Sequence, residues 1–303
     1  MQPLDGIRVL DLGTYLAGPF CATVLGEFGA DVIKLERPGC GDRLRRFGTE
    51  TECGDTLVWL SESRNKRSVT VDLARERGLE LLRDLIAEVD VVIENFRPGV
   101  RRPRPAARPP AGSATSWRRT RGPSAPSVRE RMGADTVNVL PHSHYEAADG
   151  TWVAIACTND EMFARLARAM GQPELADGAR WGDRLRRLAA RDEVNAAVSG
   201  WVGSFDRDEI LARCRAAEVP AGPLYSIAEI FEDPQYQHRG TIATADSRIG
   251  PLAVPGVLPA LSATPGSIRW LGPELGAHTE EVLCEVLGRS QEDVDDLRAE
   301  GAI

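Results

Sequence analysis

Hydrophobic and polar positions in the first hundred residues follow the pattern of a parallel α/β domain. Short apolar runs predict four strands, at residues 7–12, 30–36, 68–73 and 90–94. Helical spacing predicts two helices between them, at residues 19–29 and 75–89, and the first ends at a glycine, a common helix stop. The resulting β-α-β-β-α-β order predicts a right-handed, Rossmann-like sheet.

The composition changes abruptly after residue 100. Residues 101–128 contain seven arginines, six prolines and no acidic residue. The segment has no apolar periodicity, so it is not expected to build a core. Two interpretations stay open from the residues alone. The segment is either a basic linker or the product of GC-rich codons read out of frame, which tend to encode Arg, Pro, Ala and Gly.

Regular patterns return near residue 129 and predict a mixture of strands and helices. Residues 145–157 have the alternation of a hairpin, with a turn at Asp149 and Gly150. Helical spacing recurs at residues 159–170, 191–202, 206–217, 278–287 and 291–300. Ser290 stands where the last of these helices needs an N-cap. Short extended runs between residues 241 and 262 are interrupted by glycine and proline.

Charge and cysteine usage exclude several classes of protein. The net charge of −8 argues against a general nucleic-acid binder. No apolar run reaches the roughly 18 residues of a membrane span, and the first residues do not have the pattern of a signal peptide. The six cysteines lie far apart without a C-x-x-C pair. We therefore expect reduced thiols in a cytoplasmic protein, without a disulfide framework or a zinc site.

Two further motifs suggest ligands that the sequence does not support. The second predicted strand ends in Glu36, as in a dinucleotide site, but residues 13–18 (GTYLAG) lack the G-x-G-x-x-G spacing that brings the backbone close to pyrophosphate. His142 and His144 form an H-x-H pair without an acidic or cysteine partner at ligand spacing. Neither an NAD site nor a metal site is predicted.

Several sequence blocks, in a fixed order, resemble one known family. In the first half they are residues 5–42 (DGIRVLDLGTYLAGPFCATVLGEFGADVIKLERPGCGD), 65–68 (NKRS) and 94–99 (ENFRPG). In the second half they are residues 153–177, 219–235 and 271–283 (LGPELGAHTEEVL). Together they resemble the class III CoA-transferases, the CaiB/BaiF group. The resemblance covers residues 3–100 and about 132–303, and it omits the Arg/Pro-rich segment.

The resemblance implies a Rossmann-like large domain built from N- and C-terminal segments, a smaller α+β domain, and an interlocked homodimer. Residues 1–100 would form the CoA-binding part of the large domain, followed by an aberrant linker at 101–131. Residues 132–240 would form the small domain, and residues 241–303 would return to the large one with the C-terminal helices. Neither nucleic acid nor membrane is an expected partner.

The resemblance also implies an acyl-CoA:carboxylate CoA-transferase without a tightly bound cofactor, whose substrates are an acyl-CoA and a small carboxylic acid. In this family an aspartate attacks the thioester carbonyl and forms a mixed anhydride with release of the CoA thiolate. The thiolate then converts the anhydride to an aspartyl-CoA thioester, and the acceptor acid repeats these steps in reverse. Such covalent catalysis divides one difficult exchange into easier steps.

By matched position, seven residues lie beside CoA: Tyr15, Leu16, Ala17, Arg37, Val71, Asn95 and Phe96. Arg37 would meet the phosphates or the adenine, because a planar guanidinium suits both. Asn95 ends a strand, where ligands gather in open α/β sheets. The alternatives are a solvated loop arginine for Arg37 and plain core packing for Val71.

The nucleophilic aspartate of the family has no counterpart here. It lies some tens of residues beyond the N-F-x-P-G block, yet no aspartate occurs between Asp90 and Asp135. Family members are longer by roughly a quarter, and the shortfall falls in this interval. Asp149 lies in a turn, and Asp160 stands where a helix start needs an acceptor. No catalytic residue is assigned, and we expect little or no activity.

Two other functions stay open. A 2-methylacyl-CoA racemase shares the fold, but its His/Asp acid-base pair would also come from the missing interval. The chain would otherwise be a non-enzyme, either a pseudoenzyme or the product of a disrupted reading frame. Losing central strands would expose sheet edges and favour aggregation. The sequence does not identify the acyl donor or the acceptor acid.

Overall fold

The computed structural model describes residues 1–96 and 131–303. The chain forms two compact units. Of the described residues, the first unit comprises 1–96 and 231–303, and the second comprises 131–230. The Arg/Pro-rich segment at residues 101–128 lies outside the described residues, so its two interpretations stay open. The predicted domain limits at 100, 131 and 240 stay predictions.

A four-stranded parallel sheet organises the first unit. Its strands are β1 (Arg8–Asp11), β2 (Asp31–Glu36), β3 (Lys66–Thr70) and β4 (Val91–Ile93). Their order across the sheet is β3-β2-β1-β4, and every pairing is parallel. The four predicted strands and the α/β fold are confirmed. Because all four strands run the same way, their carboxyl ends meet at one edge.

Helices connect these strands. They are α1 (Ala17–Glu27), α2 (Leu57–Glu62) and α3 (Glu76–Ala87), and a short 3₁₀ helix spans Arg43–Arg46. Helices α1 and α3 agree with the prediction, but the direct β2-to-β3 connection was wrong. Helix α2 begins after Thr56, whose hydroxyl accepts the Trp59 amide at 3.2 Å. It buries Trp59 and Leu60 completely, so tertiary packing stabilises a helix of only six residues.

The second unit contains a three-stranded antiparallel sheet. Strands β5 (His142–Glu146), β6 (Trp152–Ala156) and β7 (Ala221–Pro223) lie in the order β5-β6-β7. The predicted hairpin is confirmed, with Ala154 opposite His144. Gly150 in its turn has φ +76°, a left-handed conformation that favours glycine.

Five helices follow in this part of the chain: α4 (Asp160–Ala169), α5 (Arg184–Ala189), α6 (Arg191–Val202), α7 (Arg207–Ala216) and α8 (Ile227–Glu232). The apolar faces of α4 to α7 form a core with the sheet around Ile155, Phe163 and Leu166, whereas α8 has no buried residue. Helices α4, α6 and α7 were predicted. The six-residue helices α5 and α8 were not, because so short a stretch shows little periodicity.

The C-terminal segment returns to the first sheet. It contains α9 (Pro234–His238), the hairpin of β8 (Ile242–Ser247) and β9 (Gly250–Pro255), α10 (Thr279–Glu285) and α11 (Gln291–Ala299). Strand β3 is joined to this segment where the His278 amide donates to the Ser68 carbonyl at 2.9 Å. Ser290 caps α11 in a capping box with Asp293, as predicted. Within the described ranges, no helix is long and apolar enough to cross a membrane.

Candidate functional site

A cavity of about 330 Å³ lies at the carboxyl edge of the parallel sheet. Residues at or just after the ends of all four strands line it. They are Leu12, Gly13 and Thr14 after β1, Leu35 and Glu36 at the end of β2 with Arg37 after it, Val71 and Asp72 after β3, and Phe96 after β4. Open α/β sheets bind ligands at this edge, in the crevice beyond the strand ends. The cavity is therefore the candidate ligand site of the first unit.

Three of the seven residues predicted to contact CoA line this cavity. Arg37 is exposed, and among the described lining residues it is the only lysine or arginine. Val71 lines the cavity, as a residue predicted to contact CoA should, but it is 1% exposed and also packs in the core, which was the alternative interpretation. Phe96 is half-buried beside it. The lining thus offers one cation on a mostly apolar surface.

Three more of the predicted residues form an exposed turn next to the cavity. Tyr15 and Leu16 are 42% and 43% exposed, and Ala17 begins α1. Tyr15 adopts φ +61°, a left-handed conformation that is unusual for a residue other than glycine. Its ring meets that of Phe47 edge to face, with centroids 6.1 Å apart. The structure places these side chains beside the cavity and outside its lining.

Asn95, the seventh residue, forms hydrogen bonds through its side-chain amide to the β1–α1 turn, residues 13–16. Its Oδ1 accepts the Thr14 N–H at 2.8 Å, and its Nδ2 donates to the Thr14 carbonyl at 2.8 Å. Gly18 lets α1 approach, because a Cβ there would lie 3.3 Å from the Asn95 Cγ. Asn95 therefore fixes the turn through two hydrogen bonds.

Beneath this turn lie two carboxylates and two lysines, all buried, which we call the buried ion group: Asp11, Lys34, Asp42 and Lys66. The Lys34 Nζ is 2.9 Å from Asp42 and 3.8 Å from Asp11. The Lys66 Nζ is 3.0 Å from Asp11 and donates to the Pro19 carbonyl at 2.7 Å. Burial lowers the pKa of Lys66, and the charge of Asp11 opposes that shift.

Sequence reasoning missed the buried ion group. The available signal is a charged residue inside an otherwise apolar strand, as at Lys34 in DVIKLE. A solitary lysine in a strand is costly to bury unless a carboxylate pairs with it. The partners come from other strands and from the loop after β2, so the pairing is not visible along the sequence.

Glu36 is also unavailable to a ligand. Its Oε1 accepts from Arg45 at 2.8 Å and from the Ser68 hydroxyl at 2.6 Å. Its Oε2 accepts from Arg45 at 2.7 Å and from the Asp42 amide at 2.8 Å. A dinucleotide site needs this carboxylate for the ribose hydroxyl. The occupied carboxylate agrees with the glycine spacing in arguing against an NAD site.

Asp135 is the first aspartate after Asp90, and its carboxylate is held by neighbouring side chains. Its Oδ2 accepts from Arg191 at 3.1 Å and from Asn195 at 2.8 Å. Burial alone would raise the pKa of Asp135, but hydrogen bonds from Ser143, Asn195 and Arg191 outweigh burial and lower it. The carboxylate is thus ionised and occupied, and it ties the start of the second unit to α6.

The next two aspartates also have structural partners. Asp149 accepts the Thr151 amide at 2.9 Å within the hairpin turn. Asp160 forms an ion pair with Arg187 at 2.5 Å. The expectation that Asp160 supplies the helix-start acceptor was wrong, because Asn159 caps α4 by accepting the Met162 amide at 2.8 Å. Among the described residues, no His, Cys, Asp and Glu side chains gather as a metal site would require.

Sequence comparison identifies the family. The sequence model of CoA-transferase family III matches residues 4–104 and 113–279. The match resumes inside the Arg/Pro-rich segment, so the unmatched interval is narrower than residues 101–128. The succinyl-CoA–L-malate CoA-transferase alpha subunit of Chloroflexus aurantiacus is 39% identical over 392 residues, covering 98% of this chain and 92% of that protein. Its beta subunit is 40% identical over 397 residues, covering 99% and 98%.

Structural comparison agrees. A CaiB/BaiF family protein from Brucella suis superposes with a TM-score of 0.73 at 25% identity, covering 94% of this chain and 99% of that protein. The alignments with the two Chloroflexus subunits exceed the 303 residues of this chain, which is therefore shorter than these relatives. The family match, both relatives and the fold lead to one conclusion. The chain is a member of CoA-transferase family III.

Proposed function

We propose that the cavity at the strand ends binds the CoA portion of an acyl-CoA, and that the chain derives from an acyl-CoA:carboxylate CoA-transferase. One observation carries the proposal. The seven residues at matched CoA positions gather at one edge of the sheet, where three line the cavity and four form or hold the adjoining turn. The strand order β3-β2-β1-β4 also matches four of the six strands of a Rossmann fold, which supports a Rossmann-like description of this unit.

The lining has the polarity that CoA requires. Arg37 would pair with a phosphate or stack on the adenine, because a guanidinium can do either. The half-buried Phe96, which packs against a cluster that includes Leu12 and Val71, offers apolar surface to the pantetheine arm. The buried carboxylates Glu36 and Asp42 do not repel the phosphates strongly, since each is paired with a cation.

The reaction would move CoA from an acyl-CoA to a small carboxylic acid through an aspartyl-CoA intermediate. The names of the two Chloroflexus relatives specify succinyl-CoA and L-malate, which makes this the first pair to assay. No residue of this chain is assigned as the nucleophile, since Asp135, Asp149 and Asp160 all have structural partners. We therefore propose that the chain binds CoA but transfers it poorly or not at all.

The chain would act in the cytoplasm as an interlocked homodimer, as the family resemblance implies. Names of the relatives include an alpha and a beta subunit, which is consistent with a protein that assembles from two related chains. The six free thiols fit a reducing compartment.

Isothermal titration of the full chain with CoA tests the site. NAD⁺ is the matched control ligand, because it shares the ADP portion but lacks the 3′-phosphate and the pantetheine arm. We expect micromolar binding of CoA and none of NAD⁺; absence of CoA binding would refute the proposed site. A parallel assay with succinyl-CoA and L-malate is expected to yield no malyl-CoA above background. Robust transfer there would refute the proposed impairment and leave the site standing.

A further inference from the structure

Three successive backbone amides of the β1–α1 turn are each held by a different side chain. The bonds run from Gly13 N–H to Asp11 at 2.9 Å, from Thr14 N–H to Asn95 at 2.8 Å, and from Tyr15 N–H to Asp42 at 3.1 Å. Glycine-rich phosphate loops leave such amides free to face an anion. In this turn the three amides already donate to side-chain oxygens, so they are not free to bind a phosphate.

The buried ion group connects two of these acceptors. Lys34 lies between Asp11 and Asp42 and also donates to the Gly13 carbonyl. Opposite charges in equal number keep the group neutral while it is excluded from water. Removing one member would leave another charge buried without a partner, which is costly. The positions of Asp11 and Asp42, and with them the turn, are therefore strongly constrained.

The turn needs this constraint because of the conformation of Tyr15. A left-handed backbone is unfavourable for a side chain with a Cβ and persists only where surrounding contacts enforce it. Tyr15 has φ +61°, and two contacts reach it from outside the turn: its ring packs on Phe47, and its backbone amide donates to Asp42. Of the two, the hydrogen bond to Asp42 acts on the backbone directly. The direction of the chain into Leu16 and Ala17 follows from this conformation.

We propose that Asp42 is a positioning residue, which holds Tyr15 in its left-handed conformation from the buried ion group and so sets the geometry in which residues 15–17 meet CoA. Asp42 borders the cavity, but its carboxylate is directed to Lys34 and to the amides of Tyr15 and Leu44. It acts on CoA through the turn. The inference rests on the proposed CoA site and adds the residue on which the shape of that site depends.

Two substitutions at one position separate this role from general stability. Asp42→Ala removes the acceptor, whereas Asp42→Asn keeps an oxygen of the same size for the two amides. Asp149→Ala is the matched control, because it removes a carboxylate that accepts a turn amide in the second unit. The measurements are CoA affinity by titration calorimetry and hydrogen exchange at the amides of residues 13–15, both on the full chain.

We expect Asp42→Ala to weaken CoA binding and to accelerate exchange at residues 13–15 about tenfold each, the change that corresponds to one hydrogen bond. Asp42→Asn should lie between the unaltered chain and Asp42→Ala in both measurements, because the remaining oxygen keeps the bonds to the two amides while Lys34 is left with Asp11 alone, 3.8 Å away. Asp149→Ala should change neither. If Asp42→Ala binds CoA normally and exchange at residues 13–15 is unchanged, the inference is wrong.

Failure of the inference can be told apart from failure of the proposed function. If the unaltered chain does not bind CoA, the proposed site fails, and hydrogen exchange alone decides whether Asp42 holds the turn. If Asp42→Ala does not fold, Asn95→Ala replaces it. That exposed residue holds Thr14 from the opposite side without touching a buried charge. Normal affinity and exchange in Asn95→Ala would contradict a turn whose shape depends on side-chain acceptors.

Discussion

The two units use their buried positions differently. In the first unit, strands β2 and β3 contain buried charged residues, including Lys34, Glu36 and Lys66. The core of the second unit is built from apolar side chains such as Ile155 and Leu166. Arg187 is the one fully buried charge among the described residues of that unit; it donates to two backbone carbonyls and pairs with Asp160, whose side chain is exposed.

The contrast reflects how precisely each unit has to hold its side chains in position. Apolar packing is strong but tolerates small displacements, whereas a paired charge specifies one arrangement of its partners. Buried ion pairs contribute little net stability, because desolvation offsets their attraction. In the first unit they lie beneath the turn that borders the candidate CoA cavity. We infer that the buried ion pairs of the first unit define the geometry of the candidate site at some cost in stability, whereas the apolar core of the second unit contributes mainly stability.

The largest effect is expected from Lys66→Met. The substitution leaves Asp11 with Lys34 alone, 3.8 Å away, and should lower the free energy of unfolding by about 3–5 kcal/mol. Urea unfolding followed by tryptophan fluorescence measures this loss. Adding Asp11→Asn should recover part of it, because the uncompensated charge is then removed. A loss below about 1 kcal/mol for the single substitution would mean that the ion group does not constrain the strands.

Leu166→Ala tests the other side of the comparison. Leu166 is fully buried in the second unit, so truncation should lower the free energy of unfolding by about 2–4 kcal/mol through lost burial and a residual cavity. CoA affinity at ambient temperature should not change. Leu185→Ala is the control, because Leu185 is 68% exposed and its removal should cost less than about 0.5 kcal/mol. Loss of CoA affinity in folded Leu166→Ala would contradict the separation of packing from site geometry.

An intermediate effect is expected from Arg37→Gln, which removes the one cation found in the described lining. CoA affinity should fall about tenfold, or about 1.4 kcal/mol, with no change in unfolding free energy. Arg168→Gln is the matched control, an exposed arginine on α4. Repeating the titration with dephospho-CoA separates the two roles of Arg37. An equal loss with both ligands would exclude the 3′-phosphate as the partner of Arg37 and leave the adenine or the diphosphate.

The same comparison explains how far the sequence could predict the structure. Strands β1 to β4 were predictable because runs such as that of β2 are apolar and end at turns. The α11 cap was predictable because Ser290, a preferred N-cap residue, directly precedes the helical pattern. Helix α2 was missed, since its stability comes from burying Trp59 against distant residues. The ion group was missed because its members pair across strands.

The sequence predicted where the candidate site lies, but it did not predict the hydrogen bonds that hold it in shape. Residues at strand ends could be expected to gather, because parallel strands share one carboxyl edge. The sequence does not reveal that Asn95 is bonded to Thr14, or that Asp42 holds the Tyr15 amide. Those contacts depend on how a loop folds back over the sheet. Spacing along the chain carries no information about them.

The smallest effect is expected from pH, and it should be confined to the first unit. Burial lowers the pKa of His278, while Glu281 opposes the shift and Arg67 adds to it. The neutral Nδ1 accepts the Ser68 amide at 3.2 Å, which joins β3 to the C-terminal segment. Because the folded pKa lies below the usual value of about 6.5, this stabilisation is complete above pH 6.5 and is lost as pH falls through the folded pKa.

Hydrogen exchange between pH 7.5 and 5.5, corrected for intrinsic rates, can detect this change. The opening free energy of the Ser68 amide should fall by up to about 1 kcal/mol, the contribution of one hydrogen bond, while amides of β6 in the second unit provide the internal reference. His278→Asn keeps an acceptor that does not titrate, so it should remove the pH dependence and preserve the protection. An equal fall in opening free energy at the amides of β6 would show that pH acts on the whole chain. That result would contradict the proposed difference between a first unit held by charges and a second unit held by apolar packing.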